Sequence, residues 1–170
     1  MEGAHDRADK RRACGEHLSF YLWAAAVLVL DQGTKWAGTT FLKPLGSIPV
    51  LGNYLSLTYR TNTGAAFGMV PWASRGLELV GTAVVVLLLI YGCRAARGSR
   101  SLSLALALLL GGAAGNLLDR LRLHYVVDFV DLHFWPVFNL ADIAITVGAI
   151  LFVGTVLLGE GRGKQHEEGD

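Results

Sequence analysis

The stretch from Val126 to Asp142 reads VVDFVDLHFWPVFNLAD and holds two carboxylates, Asp128 and Asp142, on either side of an aromatic-proline break at Phe134-Trp135-Pro136. A long apolar run, Ile143 to Leu158, begins directly after the second acid. A carboxylate at the mouth of a membrane helix is costly and by default marks function. Two that converge do not both ionise easily: one holds a proton and the other is a base. The base can activate water against an amide carbonyl, while the acid polarises that carbonyl and later protonates the leaving amine. Such chemistry needs neither a metal nor a covalent intermediate.

Rival hydrolytic schemes find little support. There is no His-Glu-x-x-His for zinc. His124 and His133 flank the acids without ligand spacing, so no metal site is expected. Ser47, in Leu45-Gly46-Ser47-Ile48, lacks a nucleophile-elbow context. Asp131 reads as a solvated loop residue. Cys14 and Cys93 have no metal-ligand spacing, and a bridge between them is not expected.

The elements that must position the acids are membrane helices. The chain of 170 residues is enough for one domain, 52% hydrophobic and only 17% charged, against about 25% charged in an ordinary soluble domain. Its charges cluster at the two ends, and its net charge of +1 gives no reason to expect a nucleic-acid partner. Residues 1–17 read as a solvated, disordered cytoplasmic tail. A first span starts at Leu18 and continues through Asp31-Gln32-Gly33-Thr34-Lys35 to Phe41. Its basic start imitates a secretory signal, but the expectation is a retained helix. Asp31 and Lys35 are four apart on one helical face, in the favourable order for an ion pair. Residues 41–74 form an extracytoplasmic insert, with prolines, glycines and an alternating run at Asn53–Tyr59 that predicts short strands. The insert also contains Asn62-Thr63-Gly64, by itself a turn signal.

Leu77–Cys93 is a second span, with Glu78 near its start, and Leu102–Arg120 a third. The third carries Gly111, Gly112 and Gly115, which allow close helix packing, and Gly112, Asn116 and Arg120 recur every four residues on one stripe. Packing explains the glycines but not the amide and the guanidinium. The fourth span runs from about Val137 to Leu158, and residues 159–170 are a second cytoplasmic tail. Asp142, six residues past Pro136, should then lie roughly 9 Å down that helix at 1.5 Å per residue, with Asn139 on the same face. Nine of the fifteen Lys and Arg residues fall on the side of the termini, so the positive-inside rule places both ends in the cytoplasm. Trp36, Trp72 and Trp135 then sit at the outer interface. Asp31, Lys35, Asn62, Asn116, Arg120, Asp128, Asn139 and Asp142 all gather at the outer end of the bundle.

These motifs resemble the bacterial lipoprotein signal peptidases, also called signal peptidase II. The matching blocks are Leu30-Asp31-Gln32-Gly33-Thr34-Lys35, Asn62-Thr63-Gly64-Ala65-Ala66-Phe67, Gly115-Asn116-Leu117-Leu118-Asp119-Arg120, Val126-Val127-Asp128-Phe129 and Phe138-Asn139-Leu140-Ala141-Asp142. They stand in family order over residues 20–157. The resemblance implies an all-α membrane protein, a four-helix transmembrane bundle with a small extracytoplasmic β-platform, forming one peptidase domain over 18–158. It implies an intramembrane aspartic endopeptidase of the bacterial cytoplasmic membrane. Such an enzyme removes the signal peptide of a prolipoprotein just before a diacylglyceryl-modified cysteine, and works without a cofactor. Asp128 and Asp142 match the catalytic pair. Asp31, Lys35, Asn62, Gly64, Gly112, Asn116, Arg120, Asn139 and Ala141 match residues that shape the site, some of which contact substrate or the antibiotic globomycin. Membrane lipid is the other implied partner.

The competing expectation is an ion- or proton-coupled membrane carrier, since intramembrane acids also serve relays. Transport needs a path to both faces, and the inner halves of these spans hold almost no polar groups. A subunit that only assembles with other helices would leave the gathering of polar residues at one end unexplained.

Overall fold

In the computed structural model, which describes residues 2–64, 71–95, 97 and 99–167, four long helices pack with a small sheet at one end. Helix α1 is Glu2–Ala37; it widens into a π turn at Gly38–Leu42 and a single helical turn, α2, at Lys43–Leu45. Strands β1 (Ser47–Leu51) and β2 (Leu55–Asn62) form a hairpin; α3 is Pro71–Ala95, α4 Arg100–Leu123, β3 Val126–Asp131 and α5 Leu140–Glu167. Ala65, Ala66 and Phe67 of the second motif block, and the side chains of Cys14, Trp72 and Cys93, lie outside the described residues.

Helix α4 is the hub, packing against α1, α3 and α5. Its start is capped by Ser99, whose hydroxyl accepts from the Leu102 N–H at 3.2 Å; its end is closed by His124 in the left-handed region (φ 64°), whose N–H reaches the Arg120 carbonyl. Phe20, Ala24, Leu106, Ala107 and Leu110 form the buried core between α1 and α4. Glycine lets α4 lie close to both α1 and α5. A Cβ on Gly111 would stand 2.6 Å from the Ala24 carbonyl, and one on Gly112 2.6 Å from the Ala141 carbonyl. Large apolar side chains such as Leu22, Trp23, Val29, Leu79, Ile150 and Val153 face outward, the inverse of a water-soluble bundle and the arrangement that lipid rewards. Among the described residues, three helical stretches are long and apolar enough to cross a membrane: Arg75–Gly92, Arg100–Leu123 and Leu140–Leu157.

The sheet is antiparallel in the order β1-β2-β3. The hairpin agrees with the alternation at Asn53–Tyr59. The third strand was not expected, and it carries Asp128. Its pairing sets Arg60 opposite Asp128 and Asn62 opposite Val126, so the end of β2 lies beside the first acid.

Two expectations need correction. Residues 2–17 are helical, continuous with the first span; the segment has no proline and is rich in Ala, Arg, Lys and Glu, all good helix formers. The fourth long helix starts at Leu140 rather than near Val137. Phe138 is held back by β3, exchanging backbone hydrogen bonds of 2.9 and 3.1 Å with Val130. Asp142 is therefore in the first turn of α5, at the helix mouth and not two turns inside.

Candidate active site

The beginning of α5 is a reciprocal cap. The Asn139 side-chain oxygen accepts from the Asp142 N–H at 3.1 Å, and the Asp142 Oδ2 accepts from the Asn139 N–H at 3.1 Å. This is the capping-box geometry built from Asn and Asp. It puts a carboxylate at the positive end of the helix, where anions are stabilised. The cap uses the Asn139 oxygen, so its amide nitrogen is free to donate elsewhere. It donates to Asp128 Oδ1 at 2.6 Å and to Asn116 Oδ1 at 3.1 Å. Asn139 thus touches both acids.

The other amides are oriented by the same logic. Asn62 Oδ1 accepts the Gly64 N–H at 2.9 Å, and its Nδ2 donates to Asp128 Oδ2 at 3.0 Å. Gly64 sits at φ +73°, and a Cβ there would collide with Leu77, so the turn that aims Asn62 demands glycine. Asn116 Oδ1 accepts from Lys35 Nζ at 2.8 Å, and its Nδ2 donates to Asp142 Oδ1 at 2.8 Å. All four oxygens of the two carboxylates therefore face an N–H donor.

Behind this layer lies a buried ionic one. Lys35 Nζ is 2.9 Å from Asp31 Oδ2 and 3.1 Å from Asp119 Oδ2, all three side chains at most 4% exposed. The Asp31–Lys35 pair expected from spacing is present, and it is buried. Asp31 Oδ1 accepts the Ala141 N–H at 2.9 Å and so holds the start of α5 against α1. Gly115 makes room for it: a Cβ there would run into the Asp31 carboxylate. Asp119 accepts the Val127 N–H at 3.1 Å and so fixes β3 to α4. Gln32 donates to Asp119 Oδ1 at 3.0 Å.

Sequence reasoning missed Asp119 and Gln32 as members of the network. A signal existed for Asp119, because an acid near the C-terminal end of a helix opposes the macrodipole and so needs a reason to be there. Asp131 is also misjudged as solvated: its side chain is 18% exposed, and it accepts the His133 N–H at 2.8 Å.

Asp128 is 2% exposed. Burial pushes its carboxyl up to about 6; the hydrogen bonds from Asn62 and Asn139 pull the other way, the charge of Asp142 pushes up, and Lys35 pulls down. Arg120 touches neither acid. Its Nη1 reaches the Asn116 carbonyl at 3.4 Å, its buried Nε has no partner among the described residues, and it lines a groove of about 630 Å³ with Leu77, Leu117, Asn116 and Asp142. A smaller cleft of about 330 Å³, walled by Phe134, Trp135 and Phe138, also ends at Asp142. Two largely apolar clefts therefore meet at one acid.

Four long helices with lipid-suited outer faces, enclosing a charged network that opens beside apolar clefts, make up a membrane enzyme. Two solved structures described as bacterial membrane enzymes share the fold, at TM-scores of 0.76 and 0.75 and 30% and 31% identity. The alignments cover 85% and 82% of this chain, and 90% and 92% of theirs. The family model of Signal peptidase (SPase) II matches residues 23–158, and the chain belongs to that family. It is 47% identical over 146 residues to the lipoprotein signal peptidase of Moorella thermoacetica, covering 85% of this chain and 96% of the relative. It is 43% identical over 133 residues to that of Halothermothrix orenii, covering 78% and 91%.

Proposed function

We propose that Asp128 and Asp142 are the catalytic pair through which this lipoprotein signal peptidase, an aspartic endopeptidase, cleaves the signal peptide from prolipoproteins. The observation that carries the assignment is the sharing of Asn139 between the two carboxylates, with every oxygen aimed at by a donor. Asp128, buried and raised, holds the proton and polarises the scissile carbonyl. Asp142, at the helix mouth where two clefts meet, takes a proton from the attacking water. Asp128 then passes its proton to the leaving amine. Asp31, Lys35, Asn62, Gly64, Gly112, Asn116, Asn139 and Ala141 hold the pair in place. Arg120 lines the groove, where its guanidinium can donate to a substrate carbonyl.

The reading extends to the membrane. Helix α1 crosses as a fourth span, its outward Leu22, Trp23 and Val29 supporting contact with lipid. The domain covers 18–158, between cytoplasmic tails at 1–17 and 159–170. The sheet and insert 41–74 stand at the outer face of the bacterial cytoplasmic membrane. Exposed Trp36 and Trp135 suit that interface. The cleavage point precedes a diacylglyceryl-modified cysteine, whose chains stay in lipid beside the apolar clefts; inhibitors of the globomycin type would occupy the same space.

The test compares lipidated and unlipidated precursor with purified enzyme in lipid. Burying even three or four methylenes at about 0.8 kcal/mol each favours the lipidated form by roughly 100-fold in kcat/KM. Equal cleavage of the two contradicts the substrate assignment.

The raised Asp128 also sets a pH dependence. It must be protonated to act, so kcat/KM falls as pH rises through an alkaline limb whose apparent value belongs to the coupled pair and begins near 6 in the free enzyme. Asn62 donates to the charged form of Asp128 and holds it down. Asn62→Ala therefore moves the limb to higher pH while lowering the maximum. A pH profile in which the limb moves down or stays fixed contradicts the assignment of the proton to Asp128.

A further inference from the structure

A second polar cluster lies outside the carboxylate network, at the turn between β3 and α5. The His133 N–H donates to Asp131 Oδ1 at 2.8 Å, and its ring Nε2 is 3.1 Å from Ser56 Oγ on β2. Its Nδ1 is 3.7 Å from Asp131 Oδ1. By residue type this is a serine–histidine–aspartate triad. It is not built as one: Ser56 is only 4% exposed, and 3.7 Å is too long for the aspartate–imidazole hydrogen bond.

The backbone says what the cluster does. His133 has φ 62°, and the Phe134 N–H donates to the Leu132 carbonyl at 2.8 Å across it. A two-residue hydrogen bond around a residue of positive φ is the rare, strained form of the γ-turn. Strain of this kind persists only where surrounding contacts over-determine it, and here they come from Asp131 and Ser56. The turn leads into Phe134 and Trp135, which wall the 330 Å³ cleft with Leu132, Phe138, Asp142 and Ile143. At its far end the segment is fixed by the Val130–Phe138 bridge.

We propose that His133 is a positioning residue that pins this turn to β2, and so sets where the aromatic wall of the small cleft stands relative to Asp142. The pin governs how well an apolar part of the substrate next to the scissile bond is held, not the proton chemistry. The kinetic half of this inference rests on the proposed function; the structural half does not.

The test uses full-length wild type, His133→Ala, His133→Gly and Ser56→Ala. Amide exchange at Phe134 reads the turn without substrate. His133→Ala should speed it at least about tenfold, as loss of local protection does. With lipidated precursor, His133→Ala and Ser56→Ala should raise KM roughly three- to tenfold with kcat within about twofold, the signature of lost binding. Glycine adopts the same φ without strain, so His133→Gly separates ring from backbone. A KM raised as in His133→Ala supports the ring as the pin; a KM at the wild-type level overturns it. Unchanged Phe134 exchange in His133→Ala overturns the inference, as does a fall in kcat at constant KM. If the wild type fails to cleave lipidated precursor, the proposed function fails, and the exchange result still decides the pin.

Discussion

Asp128→Asn and Asp142→Asn each abolish processing of lipidated precursor, a loss of at least about 1000-fold, while the protein stays folded in the membrane. General acid or base catalysis is worth about 100- to 10,000-fold for one group, and in this pair each acid depends on the other. The amide has the shape of the acid but neither accepts a proton from water nor gives one to an amine. The folding cost is small for a physical reason. At position 128 the amide turns an NH₂ toward Asn62 or Asn139, both of which donate to the acid, losing about one hydrogen bond, 1–3 kcal/mol. Melting in detergent, followed beside cleavage, separates the two effects: lost activity in a protein that still melts cooperatively is the expected result. Normal cleavage by either variant sinks the pair. Asp131→Asn is the contrasting substitution. Its Oδ1 still accepts the His133 N–H, so cleavage is retained, and a dead Asp131→Asn would mean the wrong acid has been chosen.

How far the site could be read in the sequence depends on where each contact is made. Asp31 and Lys35 share a helix, so their spacing alone predicts the pair. Asn116 and Arg120 share a stripe of α4, and their polarity there demanded an explanation. Asp119 closes the ion cluster from another helix, and no local period shows that α1 and α4 are set so close by Gly111 and Gly115. The strand at Val126–Asp131 is short and mostly apolar without strict alternation, and its register comes from pairing with β2 rather than from its own pattern. By its sequence Pro136 marks the start of the last helix. The true start is the Asn139 cap, and Asn-x-x-Asp from 139 to 142 is a capping signature that was there to be read. The later start brings Asp142 nearer the helix mouth by about one turn. The ring of His133 reaching Ser56, 77 positions away, is a contact that only the folded chain reveals.

Lys35→Met has the second large effect, and it acts on stability and catalysis together. Lys35 Nζ serves three acceptors, Asp31, Asp119 and Asn116, within 3.1 Å. Methionine keeps the length of the chain and none of the donors. Two buried carboxylates are left without their cation, a loss of about 3–5 kcal/mol for a broken buried pair, against a total stability of about 5–15 kcal/mol for a typical domain. The variant should melt well below wild type in detergent. Asp31 and Asp119 each reach further: one holds the Ala141 N–H at the start of α5, the other the Val127 N–H at the start of β3. Those are the elements that carry Asp142 and Asp128. Loosening both should bring cleavage below about 1% of wild type even in the folded fraction, since displacement of about 1 Å can cost 100-fold. The double variant Lys35→Met/Asp119→Leu leaves one uncompensated carboxylate in place of two. It should recover part of the melting temperature and little of the activity, a non-additive result expected of side chains in one network. A single Lys35→Met variant that melts and cleaves like wild type would mean that the ionic layer holds neither acid in place.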